Sequence, residues 1–107
     1  MNLYLDDLRD CPEGFALARN IEECISLLKT NHVHILSLDH DLGMDAGGNL
    51  LPTGYDLVKW ICEFHEEYQL SIERVHLHTD NNVGRDNMYH TLPVSYTHLT
   101  LPTITAV

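Results

Sequence analysis

Polar side chains follow three of the predicted strands, at the point where each strand ends. In open parallel α/β sheets such ends meet at one edge, where ligands bind, so we expect these groups to converge. Carboxylates brought together repel each other unless a proton or a cation compensates their charge. An oxygen-rich set favours a hard divalent ion, Mg²⁺ or Mn²⁺. The groups are Asp6-Asp7, Asp39-His40-Asp41 and His78-Thr79-Asp80-Asn81. The predicted metal ligands are Asp6, Asp7, Asp39 and Asp41.

The predicted catalytic residues are Asp39, His40 and His78. Asp39 is a metal ligand or, alternatively, a nucleophile that forms an aspartyl phosphate. The two imidazoles are candidates for a general acid or base, or for metal ligands, because imidazole exchanges protons near neutral pH. A competing interpretation is that the acidic residues merely end strands in turns, where Asp is common. Three such strand ends in one topology favour a genuine site.

Arg9 and Arg85 are the cationic candidates for binding a phosphate group. Arg85 follows Gly84 at the start of the last predicted helix, and a helix N-terminus with a nearby guanidinium suits an anion. Asn81 precedes the same helix and joins them as a predicted phosphate ligand. These assignments depend on the metal site beside them, since surface arginines are usually just solvated.

Four histidines lie in H-x-H pairs, a spacing that can bind a transition metal. His32 and His34 alternate along the central predicted strand, and His76 and His78 along the last one. For His32, His34 and His76 we expect the plainer role of hydrogen-bonded histidines in the sheet or its loops.

The elements that must position these groups alternate between strands and helices. Helical crossovers imply parallel strands with right-handed connections. We therefore predict an α/β fold, a small open parallel sheet with flanking helices in a three-layer or incomplete three-layer sandwich. The predicted order is β-β-α-β-α-β-α, with strands at NLYLD, FALAR, HVHILSLD and IERVHLHT and helices after Asn20, over Gly54 to Tyr68, and after NNVG.

Composition narrows the class of protein. The chain has 6 Lys+Arg against 16 Asp+Glu, and its formal net charge of -10 argues against a surface that binds a nucleic-acid backbone. No apolar run approaches the ~20 residues of a membrane span. Asp6 and Asp7 come too early for a signal peptide. Three cysteines without CxxC spacing favour a reduced, cytoplasmic location.

Residues 94–107 differ from the rest of the chain because they carry no charged side chain. On composition alone they suit a natural C-terminal strand. The string VSYTHLTLPT, however, resembles one reading frame of a transposon-end adapter used in short-read sequencing libraries. We therefore predict a domain over residues 1–93, truncated in or just after its last helix, and a foreign tail over 94–107.

Four motifs in order resemble the cyclic-phosphate-processing receiver-like domain, a divergent relative of the response-regulator receiver. They are LDDLR, LSLDHDLG, TGYDLVKWI and HLHTDNNVGRDNM, and the resemblance covers nearly all of residues 1–92. It implies a flavodoxin-like receiver topology in which the loop LRDCPEG replaces the first helix. It also implies a phosphoesterase that acts on cyclic phosphates left by RNA or nucleotide processing, with a small phosphorylated nucleotide or RNA end as substrate.

The resemblance also assigns residues by position. Asp6 and Asp7 match the acidic pair of a receiver's first strand, and Asp39 matches its phospho-acceptor. Thr79 or His78 lies near the receiver's fourth-strand hydroxyl residue, which adds Thr79 to the predicted substrate-binding set. The residues that match the family's own pattern are His40, Asp41, His78 and Asn81.

Three functions remain open from the sequence. The first is a metal-dependent phosphoesterase, the second is a phospho-acceptor signalling module with Asp39 as acceptor, and the third is a scaffold with a vestigial site that binds no metal. A receiver needs a lysine at the end of its fifth strand, whereas Lys29 and Lys59 both fall on predicted helices. This departure counts against signalling.

Overall fold

The computed structural model describes residues 1–95 and 103–106, which form a parallel sheet with helices packed on it. The strands are β1 (Asn2–Leu5), β2 (Phe15–Ala18), β3 (His32–Leu38), β4 (Ser71–Leu77) and β5 (Thr103–Ala106). The helices are α1 (Ile21–Thr30), α2 (Gly54–Phe64) and α3 (Asn82–Ser95). Neighbouring strands all pair in parallel, in the order β2-β1-β3-β4-β5. This order is flavodoxin-like and confirms the predicted receiver topology.

The predicted loss of the first helix is also confirmed. Residues 6–14 connect β1 to its parallel neighbour β2 without a helix. The backbone N–H of Asp6 donates to the carbonyl of Ala18 at 3.1 Å, so the loop leaves the sheet from a fixed point. Its first residues, which include the acidic pair, therefore stay close to the carboxyl end of β1.

The helices form one layer on the sheet. Each step from β2 to β3, β3 to β4 and β4 to β5 runs in the same direction, so right-handed crossovers put α1, α2 and α3 on the same face. Consistent with this, α1 contacts α2, and α2 contacts α3. Over the residues that the structure describes, the sandwich has a single helical layer, as an incomplete three-layer architecture requires.

The buried core fixes the carboxyl ends of the central strands. Burying each large aliphatic side chain contributes roughly 1.5–3 kcal/mol, so a cluster of them holds the strands in register. The cluster continues to the last residue of β1, β3 and β4, directly before the polar strand ends. Its fully buried members include Leu3, Leu5, Leu36, Leu38, Leu57, Ile61, Leu77, Met88 and Leu92.

Helix α2 begins as predicted but ends earlier. The side chains of Thr53 and Asp56 each accept the other's backbone N–H in a capping box. The prediction that the helix reaches Tyr68 is wrong: it ends at Phe64, and the chain turns through Gln69, whose φ of 51° is incompatible with a continuing helix. Tyr68 nevertheless stacks on Trp60, with ring centroids 5.8 Å apart, so it packs against the helix from the turn that follows it.

The predicted foreign tail lies partly outside the described residues, which omit 96–102 and 107. Within it, Thr103–Ala106 forms β5 and pairs with β4. The foreign origin of the tail stays a prediction. A search of the described helices finds none that is both long and apolar enough to cross a bilayer.

Candidate functional site

The carboxyl ends of β1, β3 and β4 border a cleft of about 370 Å³, named here the carboxyl-edge cleft. The loops after these strands supply its walls, so the three polar strand ends do converge. The lining residues are Asp6, Asp7, Leu8, Arg9, Asp39, Asp41, Gly43, Thr79, Asp80 and Asn81. Three predicted site residues are not in the lining, namely His40, His78 and Arg85.

Backbone contacts hold the floor of the cleft. The N–H of Asp39 donates to the carbonyl of Leu5 at 3.0 Å, which extends the pairing of β3 with β1 by one residue. The N–H of Gly54, at the start of α2, donates to the carbonyl of His40 at 2.8 Å. A Cβ on Gly54 would lie 2.0 Å from the carbonyl oxygen of Asp39, so only glycine lets α2 begin this close to β3.

Asp6 is the buried carboxylate of the cleft, with 1% of its surface exposed. Its Oδ1 accepts the backbone N–H groups of Leu8 at 2.9 Å and Arg9 at 2.8 Å, and its Oδ2 lies 3.1 Å from Nε2 of His78. Burial by itself raises the pKa of Asp6. The hydrogen bonds from Arg9, Leu8 and His78 outweigh it and hold this pKa below its ordinary value, so Asp6 is ionised at neutral pH.

His78 lies beneath the cleft, buried against β1 and β3. Its ring stacks on Tyr4, with centroids 4.2 Å apart, and its Nδ1 lies 2.7 Å from Oγ of Ser37. Desolvation lowers the pKa of His78, and the charge of Asp6 opposes this only in part. The hydrogen-bond network assigns a neutral ring that donates from Nε2 to Asp6 and accepts at Nδ1 from Ser37. Because both nitrogens are engaged within the protein, His78 is placed to orient Asp6 and not to face a substrate.

Asp6, Asp7 and Asp39 form a carboxylate cluster in which one oxygen from each lies within 4.8 Å of the others. Burial raises the pKa of Asp39, and the charge of Asp6 raises it further. Hydrogen bonds from Thr79 and from the backbone N–H of His40 counteract this incompletely. The raised pKa of Asp39 reflects burial first and repulsion by Asp6 second, and a cation in the cleft would offset both.

Asp41 lines the cleft but does not join the carboxylate cluster. Its Oδ1 lies 2.8 Å from Nδ1 of His40, and Nδ2 of Asn81 lies 3.3 Å from both of its oxygens. The contact with His40, followed by that with Asn81, lowers the pKa of Asp41. These partners hold the carboxylate towards the loop after β4, so the geometry brings together three of the four predicted ligands.

The start of α3 holds the other predicted site residues. Oδ1 of Asn81, a predicted phosphate ligand, accepts the backbone N–H of Gly84 at 2.9 Å and thereby caps the helix. The ring of His40 packs on Gly84, and a Cβ built on Gly84 would lie 2.3 Å from Cγ of His40. Arg85 is the next residue of the helix, and the cleft does not reach it.

Arg9 is the cationic residue in the lining of the cleft. Its Nη2 pairs with Oδ2 of Asp80 at 3.0 Å, and its Nη1 donates to the carbonyl of His78 at 3.3 Å. Side-chain exposure is 52% for Arg9 and 96% for Asp80, so this ion pair is weak and solvent-screened. An incoming anion can therefore replace Asp80 on the guanidinium at little cost.

Three residues that support the site were not predicted from the sequence. Tyr4 and Ser37 contact His78, and Arg19 donates from Nη1 to the carbonyls of Arg9 at 2.9 Å and Asp6 at 3.4 Å. The position of Ser37 could have been noticed in the sequence, because it is a polar residue in the apolar part of β3. Nothing in the sequence indicates the role of Arg19, since that role depends on β2 lying beside β1.

A scan against protein families matches residues 1–93 to the family described as "Cyclic-phosphate processing Receiver domain". The chain belongs to this family. The matched residues include all those that line the carboxyl-edge cleft, and they end where the predicted tail begins. Neither the curated proteins nor the solved structures gave a significant match. The chain is thus a receiver domain of the type associated with cyclic-phosphate processing, with the receiver-like fold that its motifs predict.

Proposed function

We propose that this receiver domain is a divalent-metal-dependent phosphoesterase of the cytoplasm that acts on cyclic phosphates. Its substrate would be a small phosphorylated nucleotide or an RNA end. The observation that carries the proposal is the carboxylate cluster of Asp6, Asp7 and Asp39, which shares one cleft with the guanidinium of Arg9. A cleft of about 370 Å³ falls within the range of ~300–1,000 Å³ that is usual for small-molecule sites.

The charge of the cleft supports the need for a cation. Five carboxylates and one guanidinium line it, so an anionic phosphate would be repelled unless positive charge is added. The cluster offers only oxygen ligands, which suit Mg²⁺ or Mn²⁺ better than softer metals. Such an ion, when bound, would neutralise and polarise the phosphoryl group.

The protein's own residues would bind and orient the substrate. Arg9 would exchange Asp80 for a phosphate oxygen in a charge-assisted hydrogen bond, and the Thr79 hydroxyl would redirect its hydrogen from Asp39 to a second phosphate oxygen. Asp39 would serve as metal ligand or nucleophile. Of the two histidines, His40 is the better placed to exchange a proton with the substrate, because its partner Asp41 lines the cleft.

The decisive assay incubates the full chain with Mg²⁺ or Mn²⁺ and a panel of 2′,3′-cyclic and 1″,2″-cyclic phosphates. We expect turnover of at least one compound, and loss of it in Asp39→Asn. Asp86→Asn, which removes one charge from the exposed side of α3, should keep wild-type activity. The proposal fails if no compound reacts, or if Asp39→Asn matches the wild type.

A phospho-acceptor domain is the second candidate, because Thr79 donates a hydrogen bond to Asp39 at the end of β3. The positions of the two lysines argue against a phospho-acceptor function. Lys29 lies over the ring of Tyr68, Lys59 pairs with Asp56, and neither lines the cleft. Incubation with a small phosphodonor followed by intact mass spectrometry decides the question. A stable phosphate on the wild type that is absent from Asp39→Asn supports signalling, and no added mass rejects it.

A further inference from the structure

Two histidines and a glutamate meet at the amino edge of the sheet, at the opposite end of β3 from the carboxyl-edge cleft. His32 and His34 alternate along β3, and the parallel pairing puts His32 beside Ser71, so Glu73 on β4 lies level with His34. At ~3.3 Å per residue, the length of β3 separates this group from the cleft by about 20 Å. The group is therefore independent of the proposed phosphoesterase function.

Both imidazoles of this group point at the same carboxylate oxygen. Nε2 of His32 lies 3.0 Å from Oε2 of Glu73, and Nδ1 of His34 contacts that oxygen too. One ligand atom from each residue lies within 4.8 Å of the other two. The hydroxyl of Ser71 contacts Nδ1 of His32, which fixes the ring with Nε2 towards Glu73, as outer hydrogen bonds orient metal-binding histidines.

The chemistry of these donors differs from that of the carboxylate cluster. Two imidazole nitrogens and one carboxylate oxygen are a donor set that Zn²⁺ accepts, whereas Mg²⁺ prefers oxygen alone. Ligand atoms in a tetrahedral zinc site stand about 3.4 Å apart, so modest side-chain rotations would complete the geometry. All three side chains are exposed, which leaves water as the remaining ligand.

We propose that His32, His34 and Glu73 bind Zn²⁺ and thereby link β3 to β4 at the amino edge of the sheet. One bound cation would coordinate the two imidazoles and the carboxylate and would replace the hydrogen bonds that they now make with each other. Because its ligands are nitrogen and oxygen, it would remain vacant in Mg²⁺ and fill with Zn²⁺, in contrast to the carboxylate cluster.

Calorimetric titration of the untagged full chain with ZnCl₂, in saturating Mg²⁺, tests this site. We expect one Zn²⁺ to bind the wild type and Asp39→Asn alike, because Asp39 lies at the other edge. His34→Asn and Glu73→Gln should each weaken binding by at least about tenfold. His90→Asn, which removes an exposed histidine of α3, should leave it unchanged.

Two outcomes would overturn the proposal. In one, the wild type shows no Zn²⁺ binding, which would leave the three residues as a surface cluster of hydrogen-bonded side chains. In the other, Zn²⁺ binds but His34→Asn and Glu73→Gln bind it as tightly as the wild type. If, in this second outcome, Asp39→Asn alone loses Zn²⁺ binding, the ion belongs to the carboxylate cluster.

Discussion

At the scale of single residues, the pKa values of two aspartates in the carboxylate cluster are shifted in opposite directions. Asp6 is the more buried, yet its pKa is lowered because backbone and imidazole donors compensate its desolvation. Burial raises the pKa of Asp39, the charge of Asp6 raises it further, and hydrogen bonds from Thr79 and His40 offset these effects only in part. The cluster thus combines one carboxylate whose ionised form is favoured by its own hydrogen-bond donors with another whose ionised form a bound cation would favour.

The hydroxyl of Ser37 is predicted to stabilise the folded protein through His78. Ser37→Ala removes the partner of a buried ring nitrogen, and an unsatisfied buried group costs about 1–3 kcal/mol. Urea unfolding should show this loss in the free energy of unfolding. Ser26→Ala, on the exposed side of α1, serves as control and should cost less. Equal stabilities for the Ser37 variant and the wild type would argue against the hydrogen bond.

His78 is predicted to make stability depend on pH below neutrality. Its pKa in the folded protein is below the ordinary 6.5, so the unfolded chain takes up the proton first as the pH falls. The contribution of the neutral His78 ring to the free energy of unfolding is fully present above pH 6.5. It is lost between that value and the lower pKa of His78 in the folded state. The free energy of unfolding should therefore fall between pH 7.5 and pH 5.5.

Replacement of the ring tests this assignment. His78→Gln keeps hydrogen-bonding atoms but takes up no proton, so its stability should fall less over the same interval. His76, whose pKa burial also lowers, contributes separately and remains in both proteins. His90→Gln, on the exposed side of α3, should follow the wild type. A His78→Gln protein with the full wild-type dependence would show that His78 is not the group responsible.

At the scale of elements, two glycines set how closely helices approach the strand ends. Gly54 lets α2 begin against Asp39, and Gly84 lets α3 begin against the ring of His40. The sequence showed both glycines at helix starts, but it did not show what they approach. Those contacts exist only because β3 and β4 are neighbours and present their carboxyl ends together.

Gly84→Ala is predicted to destabilise the protein, although Ala normally favours a helix over Gly by ~1 kcal/mol. The new Cβ would meet the His40 ring at 2.3 Å, and such overpacking typically costs about 1–3 kcal/mol. Chemical denaturation measures the effect, with Asp86→Ala on the same helix as the control, expected to change stability by less than ~0.5 kcal/mol. A stabilised Gly84→Ala protein would contradict the packing described for His40.

At the scale of the whole molecule, alternation of strands and helices was enough to predict the parallel sheet. Strand order followed from the resemblance, because pattern alone does not say whether β2 lies beside β1. The end of α2 was predicted too late because Tyr68 packs on Trp60 from a turn, at a spacing that also fits a helix. The spacing of apolar residues does not indicate the left-handed backbone of Gln69.

The candidate site was predictable to the level of its strand ends but not of its individual contacts. Asp6, Asp7 and Asp39 converge as predicted, since the carboxyl ends of neighbouring parallel strands must meet. Asp41 is held aside by His40 and Asn81, and His78 is turned inward by Ser37. Such side-chain directions depend on partners far away in the chain, which spacing does not encode.

Part of the net charge of -10 is concentrated at this one edge of the sheet, and cation binding there is the central claim. Calorimetric titration of the full chain with Mn²⁺ measures it most directly. We predict one bound ion, at least about tenfold weaker binding in Asp39→Asn, and a smaller loss in Asp41→Asn. Asp86→Asn should bind as the wild type does. Absence of binding to the wild type, or wild-type affinity in Asp39→Asn, would contradict the account.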